Sequence, residues 1–392
     1  MNKSRHKKKT IFAIAAALLA IAPAAAQNNA SHDHTCYDKI IEGLMSAEDV
    51  PGVALAVIEK GQVTYSKAYG LREIETKSPL DQDTVMYGAS LTKFVFSAFV
   101  MLLVGEGKLD LDQPITELLP KPLPEYERFA DLLGDNRWRA LTLRQLLNHT
   151  AGLPNFRFFL PDGGFDRDAK LKFFYRPGER YGYSGEGYYI AQLVVEEALG
   201  IKTGPELQHR FFDPLGMTRT SLTWRDDFRP NFAQGYTVDG ENRGHNMQSN
   251  VRAAGSMDTT IKDMSTWVAA FMGGNILGEG ARAELWAAGT PITSPSQFPT
   301  LDNTVEPRNE AVELSAGIGV ETWRGPQGRG FLKGGHNEKT DNMLVCLIDA
   351  DRCVLLLSNT AKGDRIFPQI IEEILGDTGF PWHWKYSSLQ AK

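Results

Sequence analysis

Cysteine is scarce in this chain: Cys36, Cys346 and Cys353 are all there is in 392 residues. None has a histidine or a second cysteine at the spacing of a metal ligand, which argues against a zinc cluster and against a cysteine nucleophile. Basic tracts are missing beyond the first nine residues, and the formal net charge of −6 speaks against nucleic acid as a partner. No internal repeat or low-complexity linker interrupts the sequence. Long apolar runs are missing as well, apart from Ile11 to Pro23, which is shorter than the ~20 residues of a spanning helix. Preceded by Lys7, Lys8 and Lys9 and followed by Ala24, Ala25 and Ala26, that run reads as a secretory signal peptide over residues 1–26, cut after Ala26. No cysteine follows the cut, so a lipid anchor there is not expected. The mature chain is therefore expected to be periplasmic or secreted, soluble and without a membrane span.

What is present is ordinary globular composition, 42% hydrophobic and 23% charged. The mature length exceeds the ~250–300 residues at which single cores stop growing, so a second lobe is expected. Val53 to Tyr69 reads as a β-hairpin turning at Lys60-Gly61, preceded by a helix over Tyr37 to Met45. Strands return over Asn342 to Asp349 and Arg352 to Leu357, and a helix over Arg365 to Leu375 closes the chain. Between them lie helical runs and Pro/Gly breaks. The fold class is α+β: an antiparallel sheet built from both terminal segments (about 35–88 and 313–392), with a mostly helical lobe (about 89–312) inserted. The hairpin over 346 to 353 would set Cys346 opposite Cys353. A disulfide there and three buried thiols both remain open.

Candidate chemistry begins at Ser90 and Lys93. Three residues apart on a helix, they share a face. A serine hydroxyl needs a base, and a lysine serves once burial lowers its pKa. The helix from Ser90 to Gly105 is apolar on nearly every face, which marks it as buried and supplies that environment. The bland alternative is a capping serine beside a snorkelling lysine. Tyr183 follows Pro177-Gly178 and precedes a helical run, a place from which a side chain can enter a cleft and relay protons. Tyr181 and Tyr188 compete with it, and a packing aromatic is the alternative. On Phe331 to Asn337, strand alternation allows only one of Lys333 and His336 to face a cleft, while the glycines between them permit close approach of another backbone or a ligand. No motif calls for a metal or a cofactor.

Ser-Leu-Thr-Lys at 90–93, Tyr-Ser-Gly at 183–185 and Lys-Gly-Gly at 333–335 together resemble the three motifs of the penicillin-recognising serine hydrolases. The branch resembled is that of class C β-lactamases, DD-peptidases and family VIII esterases. The likeness extends through Gly-Glu-Gly-Lys-Leu-Asp-Leu-Asp at 105–112, Leu-Leu-Asn-His-Thr-Ala-Gly-Leu at 146–153, Pro-Leu-Gly-Met at 214–217 and Ala-Ala-Gly-Ser-Met at 253–257. It implies that Ser90 is acylated and that Lys93 and Tyr183 share the acid and base work. It also implies an oxyanion hole made by the N–H groups of Ser90 and His336. Lys333 would favour the phenolate of Tyr183 and hold a substrate carboxylate. Two positions depart from the pattern: Gly185 stands where an Asn is usual, and Gly334 where a Thr or Ser is usual. Each removes a polar contact of about 1–3 kcal/mol. The function implied is an esterase, amidase or peptidase acting on a small molecule or peptide rather than an efficient β-lactamase. The rival of another class is a non-catalytic protein that binds peptidoglycan or a partner.

Overall fold

The computed structural model describes residues 35–161, 164–302 and 304–389, so the expected signal peptide over residues 1–26 lies outside the described residues. The first helix, α1 (Thr35–Ala47), leads into strands β1 (Gly52–Glu59) and β2 (Gln62–Glu73). The turn between the strands places Lys60 and Gly61 at φ +52° and +67°, the left-handed pair that a two-residue hairpin requires. After the two-residue β3 (Ser78–Pro79) comes α2 (Leu91–Gly105), then α3 (Gly185–Leu199) and α4 (Ile261–Met272). The chain then returns through β4 (Ser315–Ala316), β5 (Glu321–Gly325), β6 (Gly328–Asn337), β7 (Thr340–Leu347) and β8 (Arg352–Ser358). It closes with α5 (Gly363–Leu375) and α6 (Trp382–Lys385).

These strands form an eight-stranded sheet in the order β3-β2-β1-β8-β7-β6-β5-β4. Val53 pairs with Ser358, so the first and last strands of the chain meet at its centre, antiparallel as expected. Alternation on β1 divides two cores. Ala54, Ala56 and Ile58 join the core of α2 and α4, whereas Val53, Leu55 and Val57 join that of α1 and α5. With both faces covered, a run such as Val-Ala-Leu-Ala-Val-Ile is apolar throughout. Cys346 and Cys353 lie opposite each other on β7 and β8 and form a disulfide.

Two features of this frame prepare a cleft. The helix α2 is buried along almost its whole length, with Phe94 packed edge-on against Trp267 and Phe271. Strand β5 pairs with β6 only over Gly328–Leu332, which leaves the β6 edge from Lys333 onward without a strand on that side.

Candidate active site

Ala89 adopts φ +46°, a left-handed conformation uncommon for a residue with a Cβ, and so turns the chain sharply into α2. Ser90 occupies the N-cap position, yet its side chain makes no capping hydrogen bond. Its Oγ instead accepts one from Lys93 Nζ at 3.1 Å. Lys93 is 1% exposed. Its Nζ also donates to the Ala254 carbonyl and lies 5.1 Å from the ring centre of Tyr183 and 5.5 Å from that of Tyr188. Burial holds its pKa well below that of an ordinary lysine; nearby Lys333 lowers it further, and Glu321 opposes both.

Tyr183 is the last residue before the N-cap of α3. Ser184 accepts a hydrogen bond from the Gly187 N–H at 2.9 Å and donates one to the Pro154 carbonyl at 2.9 Å, which fixes the turn. His149, from Leu-Leu-Asn-His, lies with its ring centre 4.2 Å from that of Tyr183. Its Nδ1 accepts from the Ser184 N–H at 3.1 Å. Burial, with Lys333 and Lys93 close by, keeps His149 neutral. Sequence reading quoted that motif but gave the histidine no task. Of the competing tyrosines, Tyr181 donates to Glu321 Oε1 at 3.0 Å and Tyr188 to the Leu147 carbonyl at 2.9 Å. Tyr183 is close enough to the Ser90 side chain for Ser90 to lower its pKa.

Of Lys333 and His336, the one that lines the cleft is His336, while Lys333 is buried beside Tyr183. Lys333 Nζ lies 4.8 Å from the Tyr183 ring centre and 3.9 Å from Glu321 Oε1, with its side chain 1% exposed. His336 lines the cleft next to Ser90. Burial and then Glu321 push the Tyr183 pKa up, away from the expected phenolate, and nearby Ser90 opposes them only in part. Glu321 carries no motif and was not anticipated, yet its carboxylate connects Tyr181, Gln297 and Lys333.

Both departures from the motif pattern are filled by other groups. A Cβ on Gly185 would come within 2.7 Å of the Asn155 carbonyl and 2.7 Å of the Phe156 ring. A Cβ on Gly334 would meet Lys385 Nζ at 2.5 Å, an ammonium brought by α6 and bonded to Gln297 Oε1 at 2.6 Å. Gly335 is glycine for a different reason: a Cβ there would lie 2.6 Å from the Gly88 carbonyl and 3.1 Å from the Ser90 N–H nitrogen. The strand thus passes directly over the start of α2. A cleft of about 430 Å³ opens at Ser90 and His336.

Ser90, Lys93 and Tyr183 thus lie together beneath an open strand edge. The model of the Beta-lactamase family matches residues 37–375. The chain belongs to that family of serine hydrolases. The fold agrees: a solved class C beta-lactamase superposes with a TM-score of 0.70 at 18% identity, covering 88% of this chain and 96% of that one. Esterase EstB of Burkholderia gladioli is 28% identical over 200 residues, 46% of this chain and 49% of its own. Protein flp of Staphylococcus aureus (strain N315) is 25% identical over 213 residues, 52% of this chain and 41% of its own. The chain thus spans at most about half the length of these two beta-lactamase-family relatives.

Proposed function

We propose that the protein hydrolyses an ester or amide through an acyl-enzyme on Ser90. The observation that carries this reading is the 3.1 Å contact between Ser90 Oγ and a buried amine whose environment lowers its pKa. Lys93 takes the proton from Ser90 as Oγ attacks the carbonyl carbon. The N–H groups of Ser90 and His336 receive the negative charge that develops on the carbonyl oxygen. Collapse of the tetrahedral adduct expels the alcohol or amine, with Tyr183 passing a proton to it from Lys93. Water then adds to the acyl-Ser90 carbonyl by the same route, releasing the acid and restoring the hydroxyl. Lys333 acts through Tyr183, and its burial favours that task over direct contact with substrate.

Esterase, amidase or peptidase activity is favoured over efficient β-lactam hydrolysis, because Phe156 and Lys385 occupy the places of the two missing polar side chains. Export belongs to the same reading, since a disulfide such as Cys346–Cys353 suits an oxidising compartment.

Steady-state turnover of p-nitrophenyl butyrate tests the mechanism. Ser90→Ala and Lys93→Ala are each expected to lower kcat by roughly a thousandfold or more, since members of such a unit fail together. A Ser90→Ala protein with full turnover would overturn it.

A further inference from the structure

The cleft lining carries two guanidiniums. Among the described residues it includes Arg128 and Arg252 and no carboxylate. Arg252 is half-buried and makes no ion pair with any described carboxylate; its Nε is buried without a hydrogen-bond partner. Its guanidinium meets the Tyr189 phenol instead. Its backbone is held firmly: the Arg252 N–H donates to Ser256 Oγ at 2.9 Å, two residues from the Ala254 carbonyl that receives Lys93. Arg128 lies 3.9 Å over the Tyr189 ring. Its one carboxylate contact, Glu186 Oε2 at 3.3 Å, is shared with Arg157, which bonds the same group at 3.1 and 3.2 Å. Arg157 also pairs with Asp131 at 3.1 Å, so two carboxylates serve Arg128 and Arg157, and Arg252 is the guanidinium of the lining without a described counter-ion.

A guanidinium drawn partly out of water with no counter-ion is unfavourable unless something anionic joins it. The same lining holds an aromatic group: Phe156 and Phe158 stack at 5.4 Å, and Phe156 meets Tyr189 at 6.1 Å. On the strand side, by contrast, the ammonium groups of Lys333 and Lys385 are sealed in.

The geometry points to a substrate whose acyl group is an apolar chain ending in a carboxylate, with the chain lying along Phe156, Phe158 and Tyr189 and the carboxylate held by Arg252. This assignment of substrate class rests on the acyl-enzyme reading above. The acyl side is chosen because Tyr183, which protonates the departing group, is not part of this lining.

The test uses p-nitrophenyl half-esters of adipic, suberic and sebacic acid beside their neutral methyl diesters. For at least one chain length, kcat/KM for the acid is expected to exceed that of its methyl ester by roughly tenfold or more, the size of one charge-assisted hydrogen bond. Added salt should reduce that ratio, and Arg252→Gln should bring it toward one. A wild-type ratio of one or below at every length, or a ratio unmoved by Arg252→Gln, overturns the proposal. Calorimetric titration of the Ser90→Ala protein with the same pairs reads binding without turnover. Tighter binding of the half-esters there supports the anion site even if the wild type turns over none of them, an outcome that would count against the acyl-enzyme alone. Equal binding of acid and methyl ester overturns the anion site whatever the turnover.

Discussion

At neutral pH an ordinary lysine is an ammonium ion and cannot accept a proton from serine. In the proposed mechanism Lys93 does, because burial disfavours its charge and Lys333 repels it. A base with a lowered pKa is active above that pKa and is lost as the pH falls through it. The acylation rate should therefore be level above the Lys93 pKa and decline below it as a single ionisation. Glu321 raises the Lys93 pKa, so Glu321→Gln should move this decline to lower pH. The pre-steady-state acylation rate against pH, in wild type and variant, checks the sign; a shift to higher pH would show that Glu321 acts otherwise. Ser90, Lys93 and Tyr183 were legible as residues because motif spacing ties them to a helix start and a turn. Glu321 was not, because it acts through burial and distant partners, and a carboxylate on a short strand has no sequence mark.

Among the elements, α2, the β1–β2 hairpin and the β7–β8 hairpin follow from apolar runs, a Lys-Gly turn and facing cysteines. The open end of β6 does not, because it depends on where β5 stops pairing. Lys385 at Gly334 comes from α6, remote in sequence, and Phe156 at Gly185 comes from the 154–176 segment, which has no readable pattern. The two glycines should respond differently to substitution. Gly185→Asn presses on a backbone carbonyl and an aromatic ring, and is expected to cost about 1–3 kcal/mol without adding β-lactam hydrolysis. Gly334→Ser presses only on the end of a flexible lysine, so its smaller cost should shrink further beside Lys385→Ala. Urea unfolding of the single variants and the double variant measures both, and equal costs for the two glycines would contradict this reading.

On the scale of the whole molecule, one core contains Ala54 and Leu355 of the sheet together with Leu146 and Val194 of the helical segment. We propose that the sheet part and the helical part are lobes of a single folding unit, with Ser90 at their junction. The Beta-lactamase match over 37–375 spans both. Ser90 thus stands at the start of a buried helix, facing a strand edge that glycines keep close. The central claim is the covalent bond to Ser90, and the most direct test is the mass of the intact protein during reaction. After mixing with a β-lactam, a short-chain ester and a D-amino-acid peptide in turn, at least one should add the mass of its acyl group in one-to-one amount. Peptide mapping should place that mass on Ser90, and Ser90→Ala should abolish it. Turnover without any adduct under rapid quench, or an adduct on another residue, would contradict the account.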